Sequence, residues 1–155
     1  MNQNRNHFVI WSCRVKRFDL TYRPICLAAF ALLVGPRRPW DFKQTQSFSN
    51  GSCPRQCPHT VTLCGRCVNY DVPGNIHYGW VGRAAAISRW LLLYAADKVQ
   101  KGGVDDPKDQ NAIKIGMDFW DIPQKRSKFC KEVLSKISTL NLDKTSSCAR
   151  CTTKY

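Results

Sequence analysis

The sequence is short of acid. It carries 11 Asp and Glu against 24 Lys and Arg, a net charge of +13 over 155 residues. Such an excess points to a polyanionic partner, whether nucleic acid, anionic lipid or anionic cell-wall polymer, or else to a basic surface that only confers solubility. A long apolar run is also missing. The run ICLAAFALLV at 25–34 ends at Gly35-Pro36, well short of the roughly 20 residues that a membrane-spanning helix needs. The basic stretch before it resembles the start of a signal peptide, but GPRRPW supplies no small-x-small cleavage site and the leader is long. The run is therefore expected to be a buried helix or strand. No internal repeat is visible.

What is present is ordinary for a globular chain: 43% apolar and 23% charged residues, which excludes a disordered polymer. A chain of this length hides roughly 70% of its unfolded surface, enough for one domain with a real core. The charge is unevenly placed, with +8 over residues 1–68, −1 over 69–121 and +6 over 122–155. The expected organisation is a basic leader over 1–24 and one domain over 25–155. That domain divides into a Cys-rich loop (44–68), a central motif region (71–121) and a basic C-terminal helix and Cys tail (122–155).

Cysteine is abundant: nine residues, at 13, 26, 53, 57, 64, 67, 130, 148 and 151. Cys53, Cys57, Cys64 and Cys67 form a tight group with His59 inside it, and Cys148 and Cys151 form another. Four thiolates at such spacing suit a structural zinc ion, and His59 is able to replace one ligand; in an exported chain the same group reads as disulfides. Either way these residues are expected to staple a loop and not to do chemistry, since a closed Cys-rich site leaves no open position. An odd total leaves at least one thiol unpaired if every bond is internal.

Periodicity predicts a mainly α fold with a small β/loop portion (α+β), a compact helical domain carrying a Cys-rich stapled loop. TVTL at 60–63 is the extended candidate within the otherwise loop-like 44–68. The pattern turns helical from Trp80, with Val81, Ala84, Ala85 and Ile87 on one side. Ser88 is placed to cap RWLLLYAADKVQ, where Leu91, Leu92, Ala95, Ala96 and Val99 recur at helical spacing. Gly102-Gly103 then stops it. In DDPKDQNAIKIGMDFWD the start signal is sharp: Asp106 at the N-cap, Pro107 first, Asp109 third, with Ile113, Met117 and Trp120 as the inner stripe. A last helix is expected over 127–138, with Phe129, Val133 and Ile137 inward.

Three groups have chemical potential. His77 sits in GNIHYG, where Gly74 and Gly79 permit tight turning, so the imidazole is expected at a helix entrance and not on a helix face. There it either transfers protons near neutral pH or hydrogen-bonds the backbone and locks the turn. Asp105, Asp106 and Asp109 fall within five residues. Asp105 and Asp109 are able to present two carboxylates to a metal or to the histidine, whereas N-terminal capping and the helix dipole account for the trio without any chemistry. RRPWDFKQT at 37–45 gathers Arg37, Arg38, Asp41 and Lys43 around Trp40, either to bind an anion or as solvated charges around a buried anchor.

Taken together, PWDFK, DVPGNIHYGWVGRAAAIS, LLLYAADKVQ and DDPKDQNAIKIGMDFWD resemble the successive blocks of the bacterial polymorphic toxin type 44 domain. The likeness covers residues 30–121. It implies an effector delivered into a competitor, an immunity protein in the producer and ribonuclease activity, and it singles out Asn75, His77, Tyr78 and Gly79 together with Asp105, Asp106, Asp109 and Gln110. Two departures stand out. Ala86 occupies a position where glycine is common, and the usual trafficking region upstream is missing, so the chain reads as a detached module.

On this basis the expected activity is metal-independent RNA cleavage. His77 would be general base or acid, Lys43 or Arg83 would steady the phosphorane, and Asp109 or Asp105 would support the histidine. Asn75, Tyr78, Arg83, Asp41 and Gln110 are the expected substrate-binding residues. No catalytic cofactor is expected; structural zinc at the cysteines is the only metal envisaged. RNA or another polyanion and a cognate immunity protein are the expected partners. The site of action is the target cytoplasm, or the periplasm if the protein is instead a cell-envelope hydrolase using His77 and Asp105. A third reading is a zinc module that binds nucleic acid without catalysis.

Overall fold

A computed structural model describes residues 23–35, 38, 40, 60–99 and 106–140. In chain order the elements are α1 (Arg23–Val34), a hairpin of β1 (Thr60–Leu63) and β2 (Arg66–Asn69), α2 (Val72–Ala84), α3 (Arg89–Val99), α4 (Pro107–Asp121), the short α5 (Pro123–Arg126), α6 (Phe129–Ser135) and a 3-10 turn, Ile137–Leu140. The domain is mainly helical, as the periodicity predicts. None of the described helices is long and apolar enough to cross a membrane.

The fold is organised by α2 and α4. A Cβ on Gly79 would overlap the carbonyl of Ile113, and a Cβ on Gly116 would overlap that of Ile76. The two backbones therefore touch where neither carries a side chain. Beyond the crossing, Arg83 near the end of α2 pairs with Asp121 at the end of α4 at 2.9 Å, and Trp80 meets Trp120 edge to face at 5.4 Å. These contacts put both C-terminal ends on one side, so the helices run in the same direction.

Two apolar clusters flank this pair. One gathers Cys26 and Phe30 of α1, Trp40, Val81, Ala84 and Ala85 of α2, Ile87, Leu92 of α3, and Ile113 and Met117 of α4. The other joins Val61 and Val68 of the hairpin, Val72 and Ile76 of α2, Ala112, Ile115 and Phe119 of α4, Val133 of α6 and Leu140. Only α2 and α4 serve both clusters, so losing their contact would open both. On the first side α3 docks by seating Leu92 where a Cβ on Gly82 would clash.

The element ends follow the local chemistry. Asp106 is extended (φ −60°, ψ 133°) and accepts a hydrogen bond from the Lys108 N–H, with Pro107 at the first helical position. Ser88 Oγ accepts from the Leu91 N–H at 3.2 Å, so the expected cap of α3 forms. The end of α2 is a Schellman motif: the Ile87 N–H reaches the Gly82 carbonyl at 3.0 Å and the Ala86 N–H reaches that of Arg83 at 2.9 Å. That motif needs a left-handed residue, and Ala86 supplies it at φ 61°, at a conformational cost glycine would not carry.

Four expectations are corrected, and one, the strand at 60–63, is borne out and completed. His77 does not stand at a helix entrance: α2 begins at Val72, with Asp71 as its N-cap and Pro73 in its first turn, so His77 lies on a helix face. Gly79 serves helix contact and not turning. The extended candidate 60–63 acquires a partner, β2, through the two-residue turn Cys64-Gly65, whose φ values of 53° and 74° match a type I′ hairpin. In that hairpin Val61 faces Val68, and both are buried. Val99 is 65% exposed although it shares the Leu92 face, because it is the last residue of α3, two turns beyond Leu92. The last helix stops at Ser135 and tightens into the 3-10 turn.

The cysteines pair at long range. Cys64, in the hairpin turn, is bonded to Cys130 of α6 across 66 residues, and Cys26 is also disulfide-bonded. Cys64 is thus no free thiolate for zinc, and its bridge ties the stapled loop to the C-terminal region. Cys67 lies on β2 opposite Thr62. Cys53 and Cys57 fall outside the described residues.

Two glycine-related substitutions should move stability in opposite directions. Gly79→Ala should lower it by about 1–3 kcal/mol, the usual cost of overpacking a tight contact. Ala86→Gly should raise it by about 0.5–1 kcal/mol by relieving the left-handed alanine; denaturant midpoints measure both. Opening the Cys64–Cys130 bridge with Cys130→Ser should cost about 4 kcal/mol, the chain-entropy value for a loop of this length, read as a lower thermal midpoint under non-reducing conditions.

Candidate functional site

Two buried polar side chains stand out among the described residues, Asn75 and Asp109, each 8% exposed. They belong to facing helices, Asn75 one turn before Gly79 on α2 and Asp109 two turns before Gly116 on α4. Because the helices run the same way, both lie on the N-terminal side of the crossing. Asn75 Nδ2 is buried and has no hydrogen-bond partner, and the same is true of Asp71 Oδ1 one turn earlier. A buried unsatisfied donor costs about 1–3 kcal/mol, so the fold alone gives no reason to keep an asparagine at position 75.

His77 lies on another face of the same helix. It is two residues from Gly79, which is about 200° of rotation at 3.6 residues per turn, so it turns away from α4. Its half-buried ring meets Trp40 edge to face at 5.3 Å. Trp40, only 8% exposed, is the buried anchor foreseen in RRPWDFKQT, and it covers one side of the imidazole. Asp109 stands on α4, in line with Gly116 two turns on.

Tyr78 and Gln110 serve the framework. The Tyr78 hydroxyl donates to the Leu92 carbonyl at 3.1 Å, and its ring packs on Phe30 at 5.2 Å. Gln110 Nε2 donates to Asp97 Oδ1 at 2.8 Å and to the Leu93 carbonyl at 3.3 Å, tying α4 to α3. Asp41, Lys43 and Asp105 lie outside the described residues.

Arg83 is committed elsewhere. It donates to Asp121 through Nε at 2.9 Å and to the Ile87 carbonyl through Nη1 at 2.6 Å, about 9 Å along the helix from His77. It belongs to a network in which Arg89 bridges Asp121 and Asp118, both at 2.9 Å, while Lys125 and Lys136 reach Asp118 at 3.1 and 3.4 Å. Burial alone would raise the Asp118 pKa. Hydrogen bonds from Arg89 and Lys125, with the charges of Lys125 and Lys136, outweigh it and hold the carboxyl below its ordinary value. Arg89 is shifted upward: burial opposes its charge, but its bonds to Asp121 and Asp118 prevail.

Sequence reasoning missed Asp71, the Trp40 contact and this network. The first had a readable signal, since Asp71-Val72-Pro73 resembles the Asp106-Pro107 start that was recognised. The others depend on chain path. Among the described residues no group of three or more His, Cys, Asp or Glu is arranged to hold a metal ion.

A carboxyl held below its unfolded value stabilises the fold above that value and loses the contribution as pH falls through the folded value. The stability lost in Asp118→Asn should therefore be constant from neutral pH down to about 5 and shrink below about 4, the ordinary aspartate range. Thermal midpoints of the two proteins across pH measure it.

Residues 29–122, more than half of the chain, match the family model described as bacterial toxin 44. Neither the curated proteins nor the solved structures contain a match.

Proposed function

The chain belongs to the bacterial toxin 44 family and is a bacterial toxin domain; from that premise we propose that it kills by cleaving RNA through acid–base catalysis at His77. Membership implies delivery to target cells and a cognate immunity protein. The observation that carries the catalytic reading is His77 itself, half-buried on a helix face and braced on one side by the buried Trp40. An imidazole so placed is held in orientation, as a general acid or base must be.

In this reading the imidazole takes the proton of a ribose 2′-OH as O2′ bonds to phosphorus. The bond from phosphorus to the 5′-oxygen then breaks, and that oxygen takes up the proton held by the imidazolium, directly or through water, leaving a 2′,3′-cyclic phosphate. The charge of +13 draws the polyanion in. With Arg83 held by Asp121 and the Ile87 carbonyl, Lys43 is the cation assigned to the phosphorane. Asp109 and Asn75 face the seam between α2 and α4 and act as positioning residues for the helix that carries His77, with Asn75 retained at a cost to stability.

The Cys64–Cys130 disulfide favours a second reading. Such bonds persist in oxidising compartments, which suits an envelope hydrolase acting on an anionic wall polymer.

Purified protein incubated with total RNA, DNA and peptidoglycan separates the two. RNA alone should be degraded, and His77→Ala should slow this by about 10²–10⁴-fold, the usual worth of a general acid or base, with little change in thermal midpoint. Asn75→Ala should lose activity while keeping or raising the midpoint. Degradation of peptidoglycan alone would transfer the function to the envelope, and an active, folded His77→Ala would remove the histidine from the chemistry.

A further inference from the structure

The outer face of α3 carries an exposed aromatic ladder. Trp90 is 69% and Tyr94 45% exposed. Their rings lie nearly parallel, 14° apart in plane with centroids 5.2 Å apart, and Lys98 Nζ stands 5.4 Å from the Tyr94 centroid. The three residues recur at intervals of four, so they stack along one side of the helix. Leu92, two residues from Trp90, turns inward onto Gly82, which points the indole away from α2 and from His77.

An exposed tryptophan of this size is unusual on a soluble surface unless it meets a partner. Among the described residues packing does not account for it, because neither apolar cluster includes Trp90 or Tyr94. The ladder is also ordered in a particular way. Lys98 occupies one end, Tyr94 lies between, and the outer face of Trp90 continues the stack. This geometry fits a flat ring on the outer face of Trp90, with a cation about 12 Å back along the helix for a phosphate further along the same strand.

We propose that the Trp90–Tyr94–Lys98 ladder is a stacking platform for single-stranded RNA, a nucleobase extending the stack on Trp90 while Lys98 and the protein's positive field hold the backbone phosphates. Chemistry selects this occupant: the segment 69–121 is close to neutral, but the chain as a whole is +13 and Lys98 stands at the ladder itself, and aromatic faces combined with cations are how single strands are held without regard to sequence. The proposal rests on the ribonuclease reading and adds to it a substrate-holding site on a face remote from His77. The platform would act on the capture of long RNA and not on the proton transfers.

The test uses an oligodeoxynucleotide of about 12 adenines, a length within the span of known single-strand sites, which lacks the 2′-OH that cleavage requires. Binding is followed by fluorescence anisotropy at low salt, and cleavage of total RNA is measured separately on the same preparations. Trp90→Ala should weaken binding about tenfold, the order expected for one stacked base, whereas Trp90→Phe, which keeps a ring, should retain most of it. Equal binding by wild type and Trp90→Ala would overturn the platform even if RNA is cleaved, and would leave the ladder to a protein partner. Failure to cleave RNA alongside a tenfold loss of binding in Trp90→Ala would sink the ribonuclease reading and leave the stacking site standing. Because Trp90 is exposed, both variants should keep the wild-type circular dichroism.

Discussion

The fold depends on the contact between α2 and α4 at Gly79 and Gly116. A side chain at either position would drive into the opposing carbonyl, so the interaxial distance is set by the absence of two Cβ atoms. Close approach lets the short side chains of Ala84, Ala85 and Ala112 fill space in a core that would otherwise need larger residues. It also fixes the direction of each helix face. Ile76 and Gly79 meet α4, Tyr78 and Gly82 meet α3, and His77 is left for Trp40. Most of the candidate functional geometry follows from this one crossing.

The same constraint explains what the sequence concealed. The start of α4 was legible because Asp106, Pro107 and Asp109 act locally, through one side-chain bond and one fixed φ, and Ser88 was legible for the same reason. GNIHYG misled because glycine has two uses. Conformational freedom and lack of volume are identical in a string of letters, and only the opposing helix shows that Gly79 is used for its size. Asp71 and Pro73 announce the helix, but that signal is missed when Gly74 and Gly79 are read as turning. The pairing of Cys64 with Cys130 was hidden for a further reason. A bridge across 66 residues is set by where the hairpin turn meets α6, and spacing among neighbouring cysteines carries no information about that.

Charge is divided between two tasks. At the C-terminal end of the crossing, Asp118 and Asp121 gather Arg83, Arg89, Lys125 and Lys136, joining α2, α3, α4 and the C-terminal segment. Partly buried and multiply bonded, this network contributes more than isolated surface pairs do. It draws on the few acids the chain has, while the excess of Lys and Arg lies in the flanking sequence, +8 over residues 1–68 and +6 over 122–155.

Ala86 and Asn75 show the limits of reading such a domain as a stability optimum. Ala86 stands in a left-handed Schellman position that glycine would occupy without cost, so the strain is tolerated and not required. Asn75 is different. Its unsatisfied amide sits inside the seam beside the crossing, where an apolar side chain of similar volume would serve the packing better. Strain that brings no packing gain marks positions held by something other than folding. On α2 that criterion separates Asn75 from Tyr78, whose hydroxyl and ring are both fully used by α3 and α1. The polar atom that folding does not explain therefore lies in the N-terminal half of α2, one turn before the crossing.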